Sequence, residues 1–220
     1  MKIMGSFIAL PSIVLTGFSG TGKSTVGKIV AKTLGWEFSD TDQIIAEESG
    51  MSISEIFRNK GEPWFRNLES KVLATALANP PIVIATGGGT LSSQHNHDIA
   101  QAASVIICLE ADATEIYNRL FAGDTTENQR PLLNSADPLA AIQKLKGERQ
   151  GSYASSQWVI QTQELENPEQ VAIEVIRGWH LNRVNLSRKL MKAPMTPTTA
   201  LPERLGVSSE GGFSPIFVEW

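Results

Sequence analysis

The stretch Gly17-Phe18-Ser19-Gly20-Thr21-Gly22-Lys23-Ser24-Thr25 has the residue types and spacing of a phosphate cradle, G-x-x-x-x-G-K-[ST]. Glycines let a backbone curl until several N–H groups point inward and form a nest for phosphate oxygens. Lys23 brings a compact positive charge to the terminal phosphates, and the Ser24 hydroxyl can ligate Mg²⁺. A helix starting near Gly22 adds the positive end of its dipole at the same point. Upstream, Ser12–Thr16 is a short apolar, β-branched run of the kind that forms a buried parallel strand. Downstream, Val26, Ile29, Val30 and Leu34 recur at helical spacing until Gly35. Strand, loop and helix follow in the order the motif demands. The chain is therefore read as binding a nucleoside triphosphate through Gly20, Thr21, Gly22, Lys23, Ser24 and Thr25.

Further polar residues stand where a sheet of this kind would present them. Asp40-Thr41-Asp42 follows a short strand over 36–39, at the carboxyl edge where α/β folds bind ligands. Asp40 can hold Mg²⁺ through water, and Asp42 can accept or orient the proton of an attacking hydroxyl. An N-cap at the start of a helix over 43–48 is the structural alternative for this acidic pair. Arg66 and Glu69 are three apart on one helical face, and a guanidinium there suits bidentate binding of a carboxylate. An exposed ion pair on a solvated helix is the plainer reading of the same residues. Gly87-Gly88-Gly89 follows a strand over 81–86, where glycines admit a ligand directly onto the backbone. Arg130 lies in a polar segment, 123–138, that lacks periodicity and reads as a mobile loop.

With Asp40-Thr41-Asp42, Gly61-Glu62-Pro63-Trp64-Phe65-Arg66, Gly87-Gly88-Gly89 and Arg130-Pro131-Leu132-Leu133 in this order, the chain resembles shikimate kinase from about residue 12 to 176. The resemblance implies transfer of the ATP γ-phosphate to the 3-hydroxyl of shikimate, a step toward chorismate and the aromatic amino acids. It implies that Asp42 contacts the shikimate hydroxyls, and that Arg66, held by Glu62 and Glu69, and Arg149 clamp the substrate. It makes Gly87, Gly88 and Gly89 the lining of the shikimate site. It also makes Arg130 a lid cation that closes on the transferred phosphoryl group, beside Lys23. Ser24 and Asp40 are the implied Mg²⁺ positions. One departure is visible: the family has a glutamate two residues after the tyrosine matching Tyr153, where this chain has Ser155. A local change in how Tyr153 or the helix end is held is the expected result. Gluconate kinase, which shares the loop and an acidic pair, remains an alternative, as does a catalytically silent relative that binds a partner.

The elements that must position these residues alternate. Apolar runs at 12–16, 36–39, 81–86, 104–109 and 158–162 read as strands, and helices are expected over 23–34, 64–78, 112–121, 139–153 and 168–181. Asp112 with Glu115 has the pattern of a capping box, and Asn167-Pro168 that of an N-cap with proline in the first turn. Alternation of this kind implies an α/β fold, a five-stranded parallel sheet flanked by helices with a mobile lid, of the P-loop NTPase type. Residues 1–181 form the expected kinase-like domain, and 182–220, rich in proline and threonine from 193 on, a flexible tail or linker.

Bulk properties narrow the partners. A net charge of −4 argues against a nucleic-acid surface, and no apolar run reaches membrane-spanning length. The single cysteine, Cys108, sits in an apolar run and reads as a core residue. His95, His97 and His180 form no defensible metal cluster, His95 and His97 read as solvent-facing, and Trp64 reads as core. A cytoplasmic monomer acting on ATP and shikimate, with Mg²⁺, is the resulting expectation.

Overall fold

A computed structural model describes residues 10–121 and 136–192, with side chains described through Val184. Arg130 and the lid segment around it lie outside the described residues, as does the stretch from 193 on.

Five strands form one parallel sheet in the order β2-β3-β1-β4-β5: β1 (Ser12–Thr16), β2 (Glu37–Asp40), β3 (Ile82–Ala85), β4 (Ser104–Glu110) and β5 (Trp158–Gln161). β1 is central, aligned by Val14 opposite Ile84 of β3 and Ile106 of β4. Side chains alternate in direction along a strand, so an apolar run feeds both faces of the sheet. Ile13 and Leu15 of β1, with Val105, Ile107 and Leu109 of β4, pack under α1 (Lys23–Leu34) and α8 (Pro168–Lys192). Val14 and Ile106 face the other way, onto Leu73 and Leu77 of α4 (Glu62–Leu77) and Ala100 of α5 (Gln94–Ala103). Two smaller clusters flank this core. Ile45 of α2 (Thr41–Ser49) and Ile56 of α3 (Ile53–Lys60) pack on Phe65 and Val72. Phe18 packs with Ile116 of α6 (Ala113–Phe121) and Ile142 of α7 (Pro138–Ala154).

The expected elements are present, with ends shifted by a residue or two, and α8 continues to Lys192, eleven residues past the expected stop. Its start is capped as expected, the Gln170 N–H donating to Asn167 Oδ1 at 2.9 Å. The capping box at Asp112 is not formed. The N–H that Glu115 would accept goes to Gln163 Oε1 at 2.6 Å, and Glu115 pairs with Arg119 instead. The box that does form belongs to α3, between Ser52 and Glu55. Trp64 is 39% exposed, against its reading as core, because α4 turns the neighbouring Phe65 inward. Cys108 is fully buried in β4, and burial pushes its thiol up to about 12.

Candidate active site

The carboxyl ends of β1, β2, β3 and β4 converge where the chain leaves the central strand in two directions, the crevice that open α/β sheets use for ligands. The loop between β1 and α1 lies across it. Gly17, Gly20 and Gly22 have φ of 128°, 86° and 93°, a region L side chains avoid. A Cβ at Gly17 would lie 2.1 Å from the Leu109 carbonyl, so this glycine also lets the loop rest on the end of β4. Lys23 is buried and donates from Nζ to the Gly17 and Phe18 carbonyls at 2.8 Å each. Among the described residues no side chain caps the N-terminus of α1, which leaves its first N–H groups and its dipole facing the loop interior.

Asp40 takes the capping role that the sequence offered for this acidic pair, and its second oxygen meets the phosphate loop. Its Oδ1 caps α2, accepting from the Asp42 and Gln43 N–H groups at 3.1 and 3.3 Å. Its Oδ2 accepts from the Ser24 hydroxyl at 2.5 Å, joining β2 to the first turn of α1. An oxygen-rich pair at the mouth of a phosphate loop fits a hard divalent cation. Asp42 is different. Its Oδ1 is buried with no hydrogen-bond partner among the described residues, and its carboxyl is pushed up from 3.8 to about 6. Burial is the main cause, followed by the nearby charges of Glu69 and Asp40, with Lys23 and Arg66 opposing them.

Arg66 projects from the first turns of α4 and is held from two sides. Nε and Nη2 donate to Glu62 Oε1 at 3.1 and 2.9 Å, and Nη1 donates to Glu69 Oε2 at 2.9 Å. Glu69 is fully buried, so this is no solvated surface pair. Its other oxygen accepts from the Thr90 hydroxyl at 2.6 Å, and Asn96 in turn donates to the Thr90 carbonyl at 3.0 Å. A buried carboxylate satisfied on both oxygens can fix a guanidinium where a surface carboxylate cannot.

Gly87, Gly88 and Gly89 lie between these groups, none of them with a left-handed φ. Their small size matters here, not their flexibility. A Cβ at Gly87 would lie 2.7 Å from Asp42 Oδ1 and 2.8 Å from Glu69 Oε1. One at Gly88 would lie 3.3 Å from both Arg149 Nη1 and the Gly17 carbonyl, and one at Gly89 3.2 Å from Arg66 and 3.4 Å from Arg149. The glycine loop thus brings the two arginines together beside the phosphate loop. Among the described residues no carboxylate pairs with Arg149, which instead lies over the Phe18 ring, Cζ 5.6 Å from its centroid. One turn along α7, the buried Tyr153 hydroxyl donates to the Gly88 carbonyl at 2.7 Å, and burial raises its pKa so that it remains a donor. Ser155, at the end of α7, donates to the Ser152 carbonyl at 2.6 Å and meets His97 Nε2 at 2.9 Å. His97 is thereby half-buried, while His95 stays exposed.

Residues 19–179 match the family model for shikimate kinase. The chain belongs to the shikimate kinase family. Among curated relatives, it is 40% identical over 170 residues to the shikimate kinase of Thermodesulfovibrio yellowstonii, covering 77% of this chain and 95% of the relative. It is 41% identical over 151 residues to that of Geobacter sulfurreducens, covering 69% and 81%. Among solved structures, the shikimate kinase of Acinetobacter baumannii in complex with shikimate superposes with a TM-score of 0.72 at 30% identity, covering 84% of this chain and 98% of the other. A gluconokinase of Sinorhizobium meliloti, with a TM-score of 0.50 at 17% identity over 81% and 97% of the two chains, shares the fold alone.

For a shikimate kinase the residues named from sequence fall into one place, save Arg130, which lies outside the described residues. Sequence reasoning missed a cavity of about 300 Å³ on the far side of the phosphate loop. Gly20, Gly22, Arg119, Thr162, Asn167 and Pro168 line it. Arg119 is fixed there by Glu115 at 2.7 Å and Thr162 at 3.0 Å. Asn167-Pro168 was legible only as a helix start, and no local pattern marks Arg119 as a pocket wall.

Proposed function

We propose that the protein transfers the γ-phosphoryl group of ATP to the 3-hydroxyl of shikimate, giving shikimate 3-phosphate and ADP. The observation that carries this reading is the convergence of Asp42, Arg66 and Arg149 on Gly87–Gly89, directly beside the lysine of the phosphate loop. The cavity bounded by Arg119 and Pro168 accommodates the nucleoside, and the loop 20–25 receives the phosphates. Lys23 leaves its two carbonyl acceptors for the β- and γ-phosphate oxygens, with Arg130 as the second cation. Ser24 and Asp40 hold Mg²⁺, which when bound neutralises phosphate charge.

On the acceptor side, Arg66 is already neutralised by two glutamates and acts as a fixed donor. Arg149 contributes the uncompensated charge that selects a carboxylate. Asp42 takes the hydroxyl proton. A carboxyl near 6 is ionised at neutral pH yet basic enough to accept it as charge builds on the attacking oxygen. Close approach of the acceptor to these charged groups is what this needs, and the small glycines of 87–89 permit it. We place the catalytic domain in residues 1–192, to the end of α8, and the tail in 193–220, the protein acting as a monomer in the cytoplasm.

A coupled ADP-release assay offered shikimate and gluconate tests the reading. Turnover with shikimate, lost in Lys23→Ala, is expected; activity on gluconate alone overturns it.

A further inference from the structure

We infer that Phe18 is a positioning residue for Arg149, so that the phosphate loop itself orients the clamp for the acceptor's carboxylate. This rests on the reading of Arg149 as that clamp. Phe18 occupies a loop position for which the phosphate-binding pattern specifies no residue type. Its ring is 1% exposed and packed against Ala111, Ile116 and Ile142, so it cannot turn away. One face is given to the Arg149 guanidinium, 5.6 Å from centroid to Cζ.

An arginine without a carboxylate partner carries several free rotamers, and ordering it costs side-chain entropy. Here that order comes from three surfaces: the Phe18 ring, Tyr153 one turn on, and the backbone of Gly88 and Gly89. Of these, it is the Phe18 ring that turns its flat, electron-rich face to the flat cation. The helix that bears Arg149 is itself fixed against the loop, because Lys146 of α7 pairs with the buried Glu110 at 2.8 Å at the end of β4.

Phe18 also reaches the donor half of the site. Its carbonyl accepts from Lys23 Nζ at 2.8 Å and from the Thr21 hydroxyl at 2.9 Å. One residue therefore holds the phosphate-binding lysine through its backbone and the acceptor-binding arginine through its ring.

A double-mutant cycle on the full chain tests this, reading shikimate affinity by equilibrium titration in the absence of nucleotide. The proteins are the parent, Phe18→Leu, Arg149→Met and the double variant. Phe18→Leu keeps apolar volume and removes the π face, and it is expected to weaken shikimate binding about five- to tenfold. In the Arg149→Met background the same substitution is expected to change affinity by less than about twofold, because no cation remains to be positioned. Equal losses in both backgrounds, or no loss in either, overturn the role of Phe18. If Arg149→Met alone binds shikimate as well as the parent does, the reading of Arg149 fails, and the inference falls with it. Should Phe18→Leu not fold, Phe18→Met carries the same cycle.

Discussion

The Tyr153 hydroxyl donates to the Gly88 carbonyl at 2.7 Å, joining the helix that carries Arg149 to the glycine loop 65 residues earlier. The tyrosine is buried and Gly88 half-buried, and the bond positions Gly88 and Arg149 relative to each other. Tyr153→Phe keeps the ring and removes the donor, leaving a half-buried carbonyl without this partner at a cost of about 1 kcal/mol. Denaturant unfolding is expected to show that loss, and steady-state kinetics a several-fold higher KM for shikimate with little change for ATP.

Asp42 is held in an ionised state its surroundings disfavour. The folded carboxyl, near 6, lies above its ordinary 3.8, so between these values the native state binds more protons than the unfolded one. The contribution of this group to stability therefore falls as pH rises from about 4 to 6, and the cost persists above that. Asp42→Asn is expected to raise the melting temperature at neutral pH while lowering kcat by at least about a hundredfold. In the parent, kcat/KM should fall on acidification with an apparent pKa near 6.

The two carboxylates on Arg66 differ in value because they differ in burial. Glu62 is half-exposed and Glu69 fully buried. Glu69→Ala removes the buried acceptor of Arg66 Nη1 and of the Thr90 hydroxyl, leaving Arg66 only the half-exposed Glu62, and chemical denaturation should show a loss of about 3 kcal/mol with a much raised shikimate KM. Glu62→Ala should cost less than about 1 kcal/mol in the same measurement. Arg66→Ala should raise the shikimate KM strongly and leave ATP binding intact, as titration with an ATP analogue would show.

Glycines in this chain separate by what surrounds them. Gly87→Ala would press a methyl group against Asp42 and Glu69, so activity should fall by orders of magnitude. Gly147, inside α7, has open space around its Cβ position. Gly147→Ala should stabilise the protein by about 0.5–1 kcal/mol in thermal or denaturant unfolding.

The phosphate loop, the alternation of strands and helices, and the acidic pair at Asp40 and Asp42 were legible in the sequence because each is a local signal of spacing or periodicity. The end of α8 was less so: 182–192 lacks the clear stop that glycine supplies after α1 and α2. The inner face of α7 was hidden for a different reason. Ile142, Lys146, Arg149 and Tyr153 line it, and three of the four are polar, so no apolar stripe announces which side packs inward.

By itself, then, the sequence determined the donor chemistry and the order of the elements, and by resemblance the acceptor. Only the tertiary structure decided that Glu69 is buried, that Arg119 walls a cavity, that Asp40 caps a helix while receiving Ser24, and that Phe18 meets Arg149. Phosphate-loop residues are contiguous, so one short turn assembles them. The acceptor side is gathered from α2, α4, the glycine loop and α7, and burial there depends on contacts between segments far apart in the chain, which local pattern does not encode.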